Sequence, residues 1–213
     1  MRLLTRAARH PAMSVLALLG LTMMGLALWP SDVDVPPGAW TPWPSQLPEA
    51  ATAWPWLGAA LRHVSTYWTA PMGHLGLSHA AGNGLAFAAL WGMTALSRES
   101  GRLACAVLAL WPLPQLVLPF TSSWPWVAGA SGVLHLWLGL LALAWLRDPR
   151  RPWQRTGQWL LLALLLKVLL EPFLASQGAL PGWVAWPLHG MGLIVALVWS
   201  GISHKRPRKV PLV

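Results

Sequence analysis

Ser131 stands in the run Gly129-Ala130-Ser131-Gly132, and His189 in Pro187-Leu188-His189-Gly190. A serine hydroxyl near an imidazole is the minimum for nucleophilic acyl transfer. Glycine on both sides of the serine permits a tight turn and close backbone approach. The serine also opens an apolar run. That places it at a helix N-terminus, where free N–H groups and the dipole favour the negative charge of an oxyanion. His79 and Asn83 are four residues apart and share one helix face. His74 lies five residues before His79, near the start of the same segment. His135 falls one turn after Ser131, on its face, where it can stack on or position His189. Gly192 and Ala196 follow His189 on one face and let a second helix approach closely. Lys167 and Glu171 are also four apart, as a local ion pair requires. The alternative for them is a contact to substrate.

Each of these features has a plainer reading. Polar side chains and small residues also serve as glue where membrane helices pack. Polar groups inside membrane helices are nevertheless costly and mark function more often than elsewhere.

The elements that must carry these residues are apolar. The chain has 213 residues, 55% hydrophobic and only 10% charged. A soluble domain carries roughly a quarter charged residues, so composition points to a membrane protein. Six apolar stretches occur, at 13–29, 76–96, 103–120, 131–146, 159–175 and 186–202. Most approach the ~20 residues that span a hydrocarbon core, and the fourth is somewhat short. In lipid such stretches must be helices, because the backbone finds no other hydrogen-bonding partners. The fold class expected is an all-α membrane protein, a bundle of six transmembrane helices spanning 13–203. A short N-terminus, 1–12, and a basic tail, 204–213, flank it.

Charge sets the orientation. Of the 15 Lys and Arg residues, Arg2, Arg6 and Arg9 precede the first stretch, and Arg98 and Arg102 lie between the second and third. Arg147, Arg150, Arg151 and Arg155 lie between the fourth and fifth, and Lys205, Arg206, Arg208 and Lys209 follow the sixth. All of these fall on one side if six helices alternate. Only Arg62 lies in a loop of the other side. The positive-inside rule then puts both termini in the cytoplasm. A net charge of +9 placed in this way argues for a membrane and against nucleic acid. The outward loop 30–73 is long and rich in Pro and Trp, with Trp40, Trp43, Trp54, Trp56 and Trp68. Tryptophan favours the headgroup layer, so this loop is expected to lie partly in the outer leaflet, with a short interfacial helix over 56–67. Trp124, Trp126, Trp183 and Trp186 continue the belt. The segment Leu26-Ala27-Leu28-Trp29 makes a poor signal-peptide cleavage site. The single Cys105 cannot form an internal disulfide.

These motifs resemble the rhomboid family of intramembrane serine proteases, over most of the chain. "HLGLSHAAGN" has that family's H-x4-H-x3-N spacing, "GASG" its G-x-S-G, and "HGMGLIVA" its H-x2-G-x3-G with Ala196 in place of the last glycine. Gly139, eight residues after the serine, matches a further family glycine. The resemblance implies a dyad without a carboxylate, with Ser131 as nucleophile and His189 as general base. It implies an oxyanion hole from the Ser131 N–H, His79 and Asn83, and a role for His74 in holding the first loop. It implies no cofactor and no metal. The chain departs from many bacterial rhomboids at Ser65-Thr66, where Trp-Arg is common, and at His135, where tyrosine is common. "GASGVLH" and "YWTA" instead resemble the rhombosortase branch. Members of that branch act on exported proteins ending in Gly-Gly, a membrane helix and a basic tail. The expected partners are therefore transmembrane or C-terminally anchored protein substrates and membrane lipids. The expected location is the bacterial inner membrane, with the active site facing the periplasm or exterior.

Other classes remain open on the residues alone. Two converging membrane histidines, such as His79 and His189, can ligate haem or a metal. A catalytically dead relative that binds membrane helices would not need both Ser131 and His189. A lipid hydrolase with G-x-S-x-G lacks its strand-to-helix context here.

Overall fold

The computed structural model describes residues 10–27, 64–73, 77–120, 128–179 and 186–204. They include the α-helices α1 (Pro11–Ala27), α2 (Leu77–Ala95), α3 (Ser100–Leu110), α4 (Ser131–Leu146), α5 (Arg151–Ser176) and α6 (Trp186–His204), and residues 64–69 are also helical. Two 3₁₀ segments, Ala70–Met72 and Leu113–Phe120, complete the regular structure, and no strand occurs among the described residues. The fold is all-α. Among the described residues, three segments are long and apolar enough to cross a membrane by length and composition: Ser100–Leu118, Arg151–Ser176 and Trp186–Ser203. Pro11–Gly25 and Ser131–Leu146 are apolar but shorter.

Helix α4 is hydrophobic all round, and a helix with no polar face must be surrounded. Eleven of its 16 residues are buried. It packs against α6, α5, α2 and α3. On its α2 side Trp137 donates its ring N–H to Thr94 Oγ1 at 2.8 Å, and its ring meets Phe87 edge-on at 5.0 Å. Helix α5 is the opposite case. Of its 26 residues only Gly157, Leu164 and Glu171 are buried. These recur every seven residues, so they form one narrow seam along the helix. Trp159, Leu162, Leu166, Leu169, Leu170 and Phe173 point away from the protein.

The stretch 103–120 differs from the continuous span expected of it. The α-helix stops at Leu110 and the chain continues as the 3₁₀ segment. Pro112 and Pro114 explain the change, since neither supplies an N–H and each ring crowds the preceding turn. The Gln115 N–H donates to the Pro112 carbonyl at 3.2 Å, three residues back, as a 3₁₀ turn requires. Residues 64–69 are helical; the rest of the interfacial helix expected over 56–67 lies outside the described residues, as do Trp40, Trp43, Trp54, Trp56, Trp124, Trp126 and Trp183.

The turn between α4 and α5 carries a tight ion pair. Arg150 donates through Nε and Nη2 to the two Asp148 oxygens at 2.8 and 2.7 Å, and its backbone N–H adds a third bond at 2.9 Å. Chiefly through the guanidinium hydrogen bonds, the Asp148 carboxyl is lowered from 3.8 to about 2. A carboxylate with a depressed folded pKa contributes stability above its unfolded pKa and loses it as pH falls through the folded one. This turn is therefore expected to weaken between about pH 4 and about pH 2. Thermal unfolding of wild type and Asp148→Asn across that window checks it. The variant should lose less stability on acidification, and equal losses would contradict the assignment.

Candidate active site

Ser131 is the first residue of α4. The N–H groups of a first helical turn have no acceptor within the helix. Gly129, two residues earlier, has φ +117°, a conformation that side chains rarely adopt. A Cβ there would also stand 2.7 Å from His79 Cε1 and 3.7 Å from Asn83 Nδ2. Glycine thus lets the backbone before Ser131 run directly over the polar pair of α2. Within that pair Asn83 Nδ2 and His79 Nε2 are 3.1 Å apart. The Gly129 N–H donates to the Ala70 carbonyl at 2.9 Å, and Trp111 Nε1 donates to the Trp68 carbonyl at 3.2 Å. These bonds tie segment 64–73 to the same end of the bundle.

The other side of Ser131 faces α6. A Cβ on Gly132 would lie 3.1 Å from Leu188 Cβ, so the residues following Ser131 and preceding His189 are in close contact. Gly192 packs still more tightly, under the Gly132 carbonyl and the Leu136 nitrogen, and Gly139 meets Ala196. His135 reaches back to the Ser131 carbonyl, with Nδ1 at 2.6 Å. Its ring stacks on His189, with centroids 4.0 Å apart and planes within 9°. The structure thus brings Ser131, His135, His189, His79, Asn83, Gly129, Gly132 and Gly192 to one end of the helices. His74 lies outside the described residues. No hydrogen bond joins the Ser131 hydroxyl to His189 among the described residues. Such bonds are often long before substrate binds and tighten in the complex.

Glu171 is the residue that sequence reasoning did not place here. The local ion pair with Lys167 is present, and the carboxylate also reaches across to α6. Both of its oxygens lie 2.9 Å from His189 Nδ1. Glu171 is 7% exposed and His189 6%, whereas Lys167 is 49% exposed. No carboxylate is near Ser131 or His189 in sequence, and the dyad expected there had none. In space one is in contact with the histidine. The available signal was the seam of α5: Glu171 is fourteen residues after Gly157, whose side-chain position abuts the α4 backbone at Ala142, Trp145 and Leu146.

The ligand atoms of His135, Glu171 and His189 lie within 4.8 Å of one another. A metal needs lone pairs that converge on one point. The stacked imidazoles are parallel, so their in-plane lone pairs run side by side. His79 lies beside Gly129 and Asn83. No protein-family model and no curated protein matches this chain.

Proposed function

We propose that this protein is an intramembrane serine endopeptidase with a rhomboid-like bundle of six membrane-crossing helices. The observation that carries the reading is the convergence of Ser131, His189 and the His79–Asn83 pair at the start of α4. Ser131 attacks the scissile carbonyl, and His189 accepts its proton. The oxyanion is held by the Ser131 N–H with His79 and Asn83, donors fixed in place before the charge develops.

Helix length supports a site inside the membrane. At 1.5 Å per residue the 16 residues of α4 extend about 24 Å, short of a hydrocarbon core of about 30 Å. Its far end runs into Arg147, Asp148, Arg150 and Arg151, which belong at the aqueous face. Ser131 then lies several ångströms below the opposite face. Charge supports the orientation: Arg98, Arg102 and Arg147 line one cavity at the far end from Ser131. By the positive-inside rule that end is cytoplasmic, with both termini, and the serine faces the periplasm or exterior. The substrates are single-span proteins, above all exported proteins ending in Gly-Gly, a membrane helix and a basic tail, as in the rhombosortase branch.

The test uses two reconstituted substrates, one with that C-terminal signal and one with a generic membrane helix. Cleavage by wild type and Ser131→Ala is read by mass spectrometry. Cleavage by wild type alone supports the reading, and the substrate that is cut assigns the branch. Equal cleavage by both proteins overturns it. His79→Ala and Asn83→Ala are each expected to lower kcat by roughly 10²–10³-fold with smaller effects on KM. A change confined to KM would mean that these residues only bind substrate.

A metal site is the second reading: the ligand atoms of His135, Glu171 and His189 lie within 4.8 Å of one another, although the parallel imidazoles do not aim their lone pairs at one point. Zinc or haem that copurifies in stoichiometric amount and is lost in His189→Ala would support it.

A further inference from the structure

Glu171 does more than hold α5 to α6. We propose that it is the positioning residue of the site, making a Ser131–His189–Glu171 relay in place of a two-residue one. This rests on the serine-protease reading above.

Three observations carry it. The first is geometric. Both Glu171 oxygens are 2.9 Å from His189 Nδ1, so that nitrogen bears the proton and donates it. Nε2 is then the free base, available to Ser131. The tautomer follows from the partner of the other nitrogen, as it does wherever a histidine serves as a base. The second is the ring's confinement. One face of the His189 imidazole lies on His135, which is itself bonded to the Ser131 carbonyl. An in-plane contact to Glu171 and a stacking contact to His135 together fix the ring in both senses. The third is the placement of Glu171. It is one of only three fully buried residues on a largely exposed helix. A carboxylate on the inward seam of such a helix is costly, and its buried partner is His189 on the neighbouring α6. Lys167, half-exposed, closes the other side of the carboxylate, with its Nζ 3.4 Å from His189 Nδ1.

In the reaction the Ser131 oxygen bonds to the scissile carbon while the carbonyl π pair moves to oxygen. The Ser131 proton goes to His189 Nε2. The imidazolium formed then faces Glu171 through Nδ1–H, and the carboxylate stabilises that charge without taking the proton. Collapse re-forms the carbonyl, breaks the C–N bond, and delivers the Nε2 proton to the departing amine. Water repeats the sequence on the acyl-enzyme. Lys167 balances Glu171 when the histidine is neutral, so the resting site does not hold a lone buried anion.

Glu171→Gln keeps the shape and removes the charge. It is expected to lower kcat by roughly 10²–10⁴-fold, with KM changed less than about threefold and a matching slowing of fluorophosphonate labelling at Ser131. Lys167→Met breaks the ion pair but leaves the carboxylate on the histidine. Its loss in kcat is expected to be at least about tenfold smaller. If Glu171 were only glue between helices, both variants would lower the unfolding temperature and act alike on kcat, and that result overturns the proposal. Wild-type kcat in Glu171→Gln overturns it equally. Should Glu171→Gln fail to fold, Glu171→Asp decides. Withdrawn by one methylene, it is expected to lower kcat at least about tenfold without a change in KM, and an unchanged kcat rejects the relay. Ser131→Ala is run beside them. Wild-type kcat in Ser131→Ala removes the protease reading itself. An inactive Ser131→Ala with a fully active Glu171→Gln removes only Glu171.

Discussion

Replacing Ser131 with alanine is expected to reduce kcat by roughly 10⁴–10⁶-fold, the loss typical of removing a nucleophile, while leaving the fold in place. The second half of that expectation comes from the structure. Ser131 is half-buried at the first position of α4, and no described hydrogen bond uses its hydroxyl. Its carbonyl accepts from His135 and would do so equally from alanine. The unfolding midpoint should therefore stay within about 2 °C of wild type, because a surface-like substitution with no lost partner stays within about 0.5 kcal/mol. A residual rate above the uncatalysed one should remain, since His79, Asn83 and the backbone donors are untouched. The measurement is single-turnover cleavage in liposomes together with thermal unfolding in detergent. Wild-type kcat would remove Ser131 from the chemistry. A large fall in the midpoint would show instead a structural role for the hydroxyl.

The largest effect on stability is expected at Gly192. A methyl group there would overlap the Gly132 carbonyl oxygen and stand 2.8 Å from the Leu136 nitrogen and 3.2 Å from His135 Cβ. Two of these neighbours are backbone atoms of α4 and cannot rotate away, so α6 as a whole must retreat. Overpacking costs about 1–3 kcal/mol where side chains can adjust, and Gly192→Val, with backbone on the far side, belongs at or above the top of that range. At 3 kcal/mol the midpoint would drop by roughly 6–12 °C for a chain of this size. Activity should fall with it, because Gly192 lies one turn below His189 and supports the ring stack with His135. Thermal unfolding and probe labelling of Gly192→Ala and Gly192→Val check the pair, with the larger side chain expected to do more harm. An unchanged midpoint in Gly192→Val would mean that α6 already has room to move.

Much of this arrangement was legible in the sequence. The stretch 131–146 was delimited as an apolar run and is α4 to the residue, because Ser131 and Arg147 bound it chemically. The small residues after His189 predicted a close helix approach, and Gly192 and Ala196 are where α6 meets α4. The break in 103–120 was also written there, in Pro112 and Pro114, but a hydropathy window averages over it. Glu171 was harder. Neighbourhood in sequence says nothing about contacts between helices, and Glu171 is 18 residues from His189. It was already matched with Lys167, a pairing that accounts for its charge and removes the reason to look further. Only the seven-residue recurrence of Gly157, Leu164 and Glu171 on a largely exposed helix marks it as inward-facing.

The Lys167–Glu171 pair also bears on how the chain enters a bilayer. Each charge alone costs about 2.5–3.5 kcal/mol at the centre of an inserting helix. Held one turn apart on α5, they enter as a neutral unit, before α6 has been made. His189 then gains its carboxylate only when α6 docks beside α5. On the proposed reading as a membrane-spanning protease, every inserted form without α6 lacks an oriented base, and proteolysis would begin only with α6 in place.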